Sequence, residues 1–200
     1  MVKEACERGG EVGICAFCRS PPAIDAHNVK RMKKLMAANN ARAFYNFAGF
    51  YAKGIKGMPQ DFSKANELLL RAGELGCPDA YSNLGFSYDH GRGVEMDKKK
   101  AKHYWELAAM NGSVNARYNL GSMEGDAGNR HRAMQHFMLS ARAGDKDSLD
   151  EVKKGYKEEY VTKDEYAYTL RAYQKIRDEM KSDDRDKAEE FRRRFGTGPT

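Results

Sequence analysis

Long apolar stretches are missing from this sequence. No run of eighteen apolar residues occurs anywhere in its 200 residues, so we predict no membrane-spanning segment. The first thirteen residues, MVKEACERGGEVG, contain no hydrophobic stretch of the kind that secretory signals carry. We therefore expect a chain that neither crosses a membrane nor carries a secretion signal.

Cysteine is also scarce. The four cysteines are Cys6, Cys15, Cys18 and Cys77, and three of them lie close together near the N-terminus. A secreted scaffold held by disulfides would distribute cysteine pairs over the whole fold. This usage predicts a reducing environment, in the cytoplasm or another intracellular compartment.

Sequence motifs of catalysis are absent as well. The chain has no G-x-x-x-x-G-K-[ST] loop, no dinucleotide fingerprint and no G-x-S-x-G elbow. The acidic pair Asp183 and Asp184 lies in a charged tail with nothing to desolvate it. We predict that the chain is not an enzyme and that its body binds no cofactor.

Charge is abundant but mixed in sign. The chain has 35 basic and 29 acidic side chains, which gives a net charge of +6. Basic runs occur at Lys30–Lys34 and Arg192–Arg194, but aromatic and basic residues do not alternate as in a base-stacking surface. We favour solvated helix faces, and keep an RNA-binding helical repeat as a third functional hypothesis that steep salt dependence would reveal.

An internal repeat dominates the sequence. Three segments align, beginning at Ala43, Ala80 and Ala116. Asp61 and Asp97 stand thirty-six residues apart, whereas Gly112 and Gly144 stand thirty-two apart. The third copy is therefore four residues shorter, and the alignment places the deletion in its internal turn.

Each copy reads as a helix, a turn and a second helix. Apolar residues recur at helical spacing, and glycines such as Gly91 and Gly93 permit the chain reversal between helices. Asp61 and Asp97 are placed to cap the second helices. We predict an all-α fold, an α-solenoid of antiparallel helix-turn-helix repeats. The side chains expected to pack between repeats are Leu68, Leu84, Leu107 and Leu120.

The remaining boundaries follow from the same register. We predict a short irregular cysteine-containing segment at 1–24, an N-terminal capping helix at 25–40, and repeats within 41–180. The repeats are 43–79, 80–115, 116–147 and a degenerate 148–180, followed by a charged C-terminal helix and tail at 181–200. Thr162 and Glu165 form a capping box in the degenerate repeat.

The second copy carries the signature A-x-x-N-L-G-x-x-Y, then G-x-G-V-x-x-D-x-x-K-A, then A-A-x-x-G. This pattern resembles the Sel-1-like repeat, a relative of the tetratricopeptide repeat. The resemblance implies stacked helix pairs with a concave face, used as an adaptor or scaffold in multiprotein complexes, and it implies no catalytic residue. The first copy departs from the pattern at Ala48, where glycine is expected, and the third copy lacks the G-x-G-V turn and the tyrosine.

A second resemblance lies near the N-terminus. The residues CAFCRSPP from Cys15 resemble the closing part of a RING-type zinc finger, although Ala16 replaces the expected proline. A complete RING needs eight ligands for two zinc ions. We favour a metal-free, partly disordered remnant over a single Zn²⁺ held by Cys6, Cys15, Cys18 and His27.

The leading functional prediction is a non-catalytic scaffold that binds a partner protein or peptide through the concave face. Asn46, Asn83 and Asn119 each follow the opening alanine of a repeat by three residues. Their amides offer both a donor and an acceptor to an extended ligand. A competing reading, which we place slightly ahead, is that they bond within the solenoid. The alternative function is a fragment of a RING-type ubiquitin-ligase-like protein with a zinc-binding N-terminus.

Overall fold

The structure is a computed structural model that describes residues 26–54 and 58–180. Every regular element in these two ranges is an α-helix, and they contain no strand. The helices are α1 (Ala26–Ala37), α2 (Ala41–Lys53), α3 (Phe62–Glu74), α4 (Pro78–His90), α5 (Lys98–Met110), α6 (Val114–Asp126), α7 (Arg130–Arg142), α8 (Lys146–Lys157) and α9 (Lys163–Glu179). The predicted all-α helical-repeat solenoid is confirmed.

The helices divide into two compact units. Unit 1 extends to Ser113 and contains α1–α5, and unit 2 begins at Val114 and contains α6–α9. The four helix pairs begin at Ala41, Pro78, Val114 and Lys146. Each start is two residues before the residue from which the repeats were aligned in the sequence. Asn40 and Asp145 cap α2 and α8 through their side chains.

The core of unit 1 lies between the two helices of each pair and between neighbouring pairs. Leu69 and Leu84 are buried in one cluster together with small residues such as Ala72 and Ala80. Trp105 is also buried, and its indole Nε1 donates to the Ser82 carbonyl oxygen at 3.0 Å. The small residues allow helices to approach closely, so the larger side chains fill the space between them.

Two of the four leucines assigned to packing between repeats have a different environment from the one predicted. Leu84 and Leu120 are buried as expected, with 3% of each side chain exposed. Leu68 and Leu107 are only half-buried. On these second helices the large buried apolar side chains are instead those of Leu69 and Trp105, so the buried face differs from the predicted one.

Side-chain caps fix where the helices begin. Asp61 accepts from the backbone N–H of Lys64 at 2.9 Å, and Asp97 accepts from the N–H groups of Lys99 and Lys100 at 3.0 Å. These two carboxylates satisfy donors that the first turn of a helix leaves unpaired. The predicted capping role of both aspartates is confirmed.

The turn between α4 and α5 depends on two glycines. Gly91 and Gly93 have φ values of +67° and +69°, a region that side chains with a Cβ rarely adopt. A Cβ on Gly93 would also lie 2.5 Å from the backbone of Phe62 and Ser63 on α3. Glycine is therefore required at position 93 both for its conformation and for its close contact with the preceding repeat.

Unit 2 shows how the repeat accommodates its deletion. The connection between α6 and α7 is only residues 127–129, whereas residues 91–97 separate α4 and α5. Asn129 donates through its backbone N–H to the Glu124 carbonyl, and through its side chain to the Glu124 carboxylate, both at 2.8 Å. Arg132 lies 3.9 Å from the same carboxylate. The shortened turn is thus held by a buried glutamate.

The segment predicted as a degenerate fourth repeat contains the two helices α8 and α9. Met134, Phe137 and Val152 belong to one buried cluster that joins α7 to α8. Thr162 accepts from the Glu165 N–H, and Glu165 accepts from the Thr162 N–H at 2.9 Å, so the predicted capping box is confirmed.

Among the described residues, no helix is both long and apolar enough to cross a bilayer.

Candidate functional site

A groove opens on unit 1 with a volume of about 630 Å³. This volume lies within the range of about 300–1,000 Å³ typical of ligand-binding clefts. We call it the unit-1 groove. Its lining residues are Met32, Tyr45, Asn46, Ala48, Gly49, Phe50, Ala52, Lys53, Phe62, Ala65, Asn66, Leu69, Asn83, Phe86, Ser87 and Arg92. They belong to α1–α4 and to the turn that follows α4.

The groove has a buried floor of small and aliphatic residues. Ala48, Ala65 and Leu69 are each less than a tenth exposed and pack in the core of unit 1. Gly49 stands above them on α2, and a Cβ there would meet no atom within 4 Å. The space above Gly49 is therefore open, and a ligand can fill it without moving the backbone.

Aromatic side chains line the groove. Phe50, Phe62 and Phe86 are all half-buried, so each keeps part of its ring surface accessible. Phe50 also packs edge-on against the buried ring of Phe47, with centroids 6.0 Å apart. Half-exposed phenylalanines on rigid helices supply apolar contact area to a ligand with little loss of side-chain entropy.

Two of the three predicted asparagines lie in this groove. Asn46 and Asn83 are exposed and line it, and they come from α2 and α4 of neighbouring repeats. Asn83 donates to the Tyr45 hydroxyl over 3.4 Å, which leaves its amide oxygen without a described partner. The side chain of Asn46 makes no hydrogen bond to any described residue. Asn119 is half-buried on α6 of unit 2 and is not among the lining residues.

Two residues of the groove, Asn66 and Arg92, were not predicted from the sequence. Asn66 is buried on α3, and its Nδ2 donates to the Arg92 carbonyl oxygen at 2.7 Å. Ser63 donates to the neighbouring Gly93 carbonyl at 3.0 Å. The sequence did carry a signal for Asn66. The aligned residues of the second and third copies are Lys102 and Met134, so asparagine at this position is specific to the first copy.

The electrostatics of the groove are one-sided. Among the described residues that line it, only Lys53 and Arg92 are charged, and both are basic. The nearby carboxylate of Asp89 accepts from the Lys98 ammonium at 2.7 Å and lies 3.3 Å from His90. It is therefore already engaged outside the groove.

Elsewhere in unit 1, burial raises the pKa of Tyr104, helped by the nearby phenols of Tyr88 and Tyr81, but Tyr104 does not line the groove.

The predicted zinc ligands cannot be placed. Cys6, Cys15 and Cys18 lie outside the described residues, as does the side chain of His27. The part of the chain that the structure describes contains no group of three or more metal-binding side chains. The zinc site and the RING-like remnant therefore stay predictions.

The repeats identified above have a family counterpart. The sequence model of the Sel1 repeat matches residues 41–77, 78–113 and 114–145, which together make up more than half of the chain. The chain belongs to the Sel1 repeat family. The resemblance predicted from the second copy is confirmed for all three clear repeats, and the family boundaries coincide with the starts of α2, α4 and α6.

Two curated relatives share parts of this sequence. A sel1-like repeat-containing protein of Acanthamoeba polyphaga mimivirus is 36% identical over 63 residues, 32% of this chain and 12% of that protein. The ERAD-associated E3 ubiquitin-protein ligase component HRD3B of Arabidopsis thaliana is 28% identical over 103 residues, 51% of this chain and 17% of that protein. The chain thus matches less than a fifth of the length of either relative.

A solved structure supports the fold. The crystal structure of a Sel1 repeat protein from Oxalobacter formigenes superposes with a TM-score of 0.64 at 24% sequence identity. The match covers 74% of this chain and 63% of that one. Similarity at this level establishes the helical-repeat architecture and leaves function to the residues of the groove.

Proposed function

We propose that the chain is a non-catalytic adaptor that binds a short segment of a partner protein, or a peptide, in the unit-1 groove. One observation carries this proposal: exposed Asn46 and Asn83 amides share a groove with the half-buried rings of Phe50 and Phe86. Apolar side chains supply contact area, and a few convergent polar groups orient the ligand.

The amides suit an extended peptide backbone. Each asparagine side chain offers two N–H donors and a carbonyl acceptor, which is the pairing that a peptide group needs. Asn46 and Asn83 come from the first helices of adjacent repeats, so a bound strand that crosses from α2 to α4 can meet both. The competing reading is that these asparagines bond within the solenoid. Among the described residues, its one supporting contact is the 3.4 Å hydrogen bond from Asn83 to the Tyr45 hydroxyl.

Family membership is consistent with this proposal. The relative HRD3B is by name a component of a ubiquitin-ligase assembly. A component of an assembly works through contacts with other proteins, and we propose the same general use for the repeats of this chain. The proposal extends to no step of the ligase reaction.

The test uses a variant that fills the groove. A display library of random peptides is selected against the full chain, against Gly49→Phe and against Gly49→Ala. Because a Cβ at position 49 meets nothing within 4 Å, Gly49→Ala retains the groove and should select the same peptides as the parent. The ring of Gly49→Phe occupies the groove and should abolish their enrichment. Equal enrichment on both variants would place peptide binding elsewhere and contradict the proposal.

A second candidate function is a fragment of a RING-type ubiquitin-ligase-like protein. The residues CAFCRSPP from Cys15 are what support it, and the name of the relative HRD3B, a ligase component, mentions no RING finger. This function requires zinc bound by Cys15 and Cys18, with Cys6 and His27 as the other candidate ligands. Metal analysis of the purified chain separates the two candidates.

A further inference from the structure

We infer that the segment bound in the unit-1 groove is acidic, with a carboxylate placed beside an apolar side chain. This inference rests on the proposed function and names the chemistry of the partner. Its basis is the charge of the groove and the position of Arg92, which no repeat signature explains.

The groove and its border are basic. Lys53 and Arg92 line it, and none of the lining residues that the structure describes is acidic. Met32 of α1 also lines the groove, and this methionine lies within the basic run Lys30–Lys34, whose four basic side chains are exposed. A ligand with negative charge is attracted to such a surface, and its binding is oriented by the few cations that lie inside the groove.

The backbone of Arg92 is fixed in place. Its carbonyl oxygen accepts from the buried Asn66 amide at 2.7 Å, and Gly93 fits against α3 with no room for a Cβ. The hydrogen bond comes from the side chain of one repeat and reaches the turn of the next. The position from which the Arg92 side chain extends is therefore set before a ligand arrives.

The guanidinium of Arg92 has donors to spare. Its Cζ lies 4.8 Å from the centroid of Phe86 and 6.0 Å from that of Phe62, so the cation rests on the aromatic part of the groove. Among the described residues, no carboxylate forms an ion pair with this guanidinium. The carboxylate of Asp89, three residues away along the chain, pairs with Lys98 and lies beside His90 instead. A guanidinium stacked on a ring keeps its N–H edge available, and a carboxylate is the group that this edge binds in a bidentate manner.

The same features argue against single-stranded nucleic acid as the occupant. Bases bind by stacking on free aromatic faces along a strongly basic channel. The Phe86 ring already stacks with His90 at a centroid distance of 4.0 Å and also carries Arg92. Inside the groove, the described lining residues carry charge only at Lys53 and Arg92, so few phosphates would be neutralised there. A peptide with one or two carboxylates matches this number of cations better than a polyphosphate chain does.

The experiment compares peptide pools selected in parallel on the full chain and on Arg92→Gln. Arg92→Gln retains the carbonyl that Asn66 binds, so the turn should keep its structure. We expect parent-selected peptides to be enriched in Asp or Glu next to an apolar residue, and Arg92→Gln-selected peptides to lose the acidic preference while keeping the apolar one. Arg71→Gln is the charge-matched control, since Arg71 is an exposed arginine of α3 outside the groove lining.

Direct binding then measures the contact. One selected peptide is synthesised with its acidic residue and with the corresponding amide, and both are titrated against the parent, Arg92→Gln and Arg71→Gln. Loss of a charge-assisted hydrogen bond predicts an affinity about tenfold or more lower for the acidic peptide on Arg92→Gln. The amide peptide should bind Arg92→Gln and the parent within twofold of each other, because the coupled partner is already gone. Arg71→Gln should bind both peptides as the parent does.

Three results would overturn the inference. If the peptides depend on the open space at Gly49 but show no acidic preference, the proposed function stands and the acidic partner is wrong. If no peptide depends on that space, the proposed function fails as well. If a fluorescent single-stranded RNA oligonucleotide binds the parent, is lost in Gly49→Phe and shows a steep salt dependence, the occupant is nucleic acid.

Discussion

Single residues explain why the repeats tolerate some deviations and not others. Gly85 on α4 faces Trp105 on α5, and a Cβ at this glycine would lie 2.5 Å from the indole Cδ1. Gly121 on α6 has the same relation to Phe137 on α7, at 2.7 Å from the ring. In both repeats the glycine of the first helix and the aromatic residue of the second helix are complementary in size. Enlarging the glycine alone causes a clash, and truncating the aromatic residue alone leaves a cavity.

The first repeat has a different pair at these positions. Ala48 replaces the glycine, and Leu69 replaces the aromatic residue, and both belong to the same buried cluster. A smaller partner across the helix pair makes room for the alanine methyl. The sequence showed that Ala48 departs from the signature, but the compensating change is visible only once the structure shows which residue each first helix faces.

The glycine–tryptophan pair gives a prediction at this scale. Gly85→Ala should lower the free energy of unfolding by about 1–3 kcal/mol through overpacking, offset in part by the better helix propensity of alanine. Gly49→Ala is the control in the same unit, and it should be neutral or stabilising by up to about 1 kcal/mol, since its Cβ enters open space. Urea unfolding followed by circular dichroism measures both.

A double variant separates overpacking from other causes. In a Trp105→Leu background, which reproduces the Ala48 and Leu69 pairing of the first repeat, the Gly85→Ala substitution should cost less than it does alone. Equal costs in the two backgrounds would mean that the indole is not what restricts position 85. The difference between the two costs is the coupling energy of the pair.

Leu84 gives a second prediction at the residue scale. Its side chain is 3% exposed and belongs to the core cluster of unit 1. Leu84→Ala should lower the free energy of unfolding by about 2–5 kcal/mol, because truncation leaves a cavity between packed helices. Leu70→Ala is the exposed comparison on α3 and should cost much less. A melting temperature within a degree of the parent for Leu84→Ala would contradict the assigned core.

At the scale of elements, the repeats preserve a contact while changing its chemistry. Lys64 lies 5.2 Å from the Tyr51 ring centroid in the first repeat, and Lys100 lies 5.3 Å from the Tyr88 centroid in the second. The third repeat has Arg132 and Glu124 at the corresponding positions, and they form an ion pair. A cation on the second helix thus contacts the end of the first helix in every clear repeat.

Helix spans and caps were predictable from local sequence, whereas this substitution was not. Asp61 and Asp97 cap their helices because the rule involves only neighbouring backbone atoms. The missing tyrosine of the third copy was evident from alignment, but its replacement by buried Glu124 depends on a partner at Arg132 and on the shortened turn at Asn129. Such compensation involves contacts between elements, which periodicity does not encode.

The capping box of α9 gives a pH-dependent prediction. Hydrogen bonds from the backbone N–H and the hydroxyl of Thr162 lower the pKa of Glu165 below its usual 4.5. A lowered pKa in the folded state adds stability that is present above the ordinary pKa and is lost as pH falls through the folded value. The parent should therefore be more stable than Glu165→Gln at neutral pH, and the difference should shrink in acid below about pH 4.5.

The measurement is urea unfolding of both chains at several pH values. Thr162→Ala serves as the second variant and should cost about 0.5–2 kcal/mol at neutral pH, as other N-cap truncations do. A stability difference between parent and Glu165→Gln that stays constant from neutral pH into acid would show that the carboxylate charge contributes nothing to the cap.

For the whole molecule, sequence and structure account for different parts of the function. The repeat architecture and the placement of Asn46 and Asn83 on first helices followed from the sequence pattern. The groove itself did not, because its lining comes from four helices and one turn that only the fold brings together. Arg92 was not predicted from the sequence, since its proximity to Phe86 becomes visible only in three dimensions.

The N-terminal cysteines give a prediction about metal. We expect less than one Zn²⁺ per purified chain and a melting temperature unchanged by a chelator, because the described cores are closed by apolar side chains. A structural zinc site would contribute on the order of 10 kcal/mol of folding free energy to its own small domain. The double variant Cys15→Ser, Cys18→Ser should retain the parent's far-UV circular dichroism. One zinc per chain, lost in that variant, would establish the metal-binding alternative.

The central claim is that a partner segment occupies the unit-1 groove, and side-chain amide resonances of asparagine test it most directly. A selected peptide is added to ¹⁵N-labelled protein, and the side-chain NH₂ signals are followed. We predict that the signals of Asn46 and Asn83 shift, while that of Asn111, which donates to the Leu107 carbonyl of its own helix at 2.8 Å, stays in place. Unchanged Asn46 and Asn83 signals at saturating peptide would contradict the account.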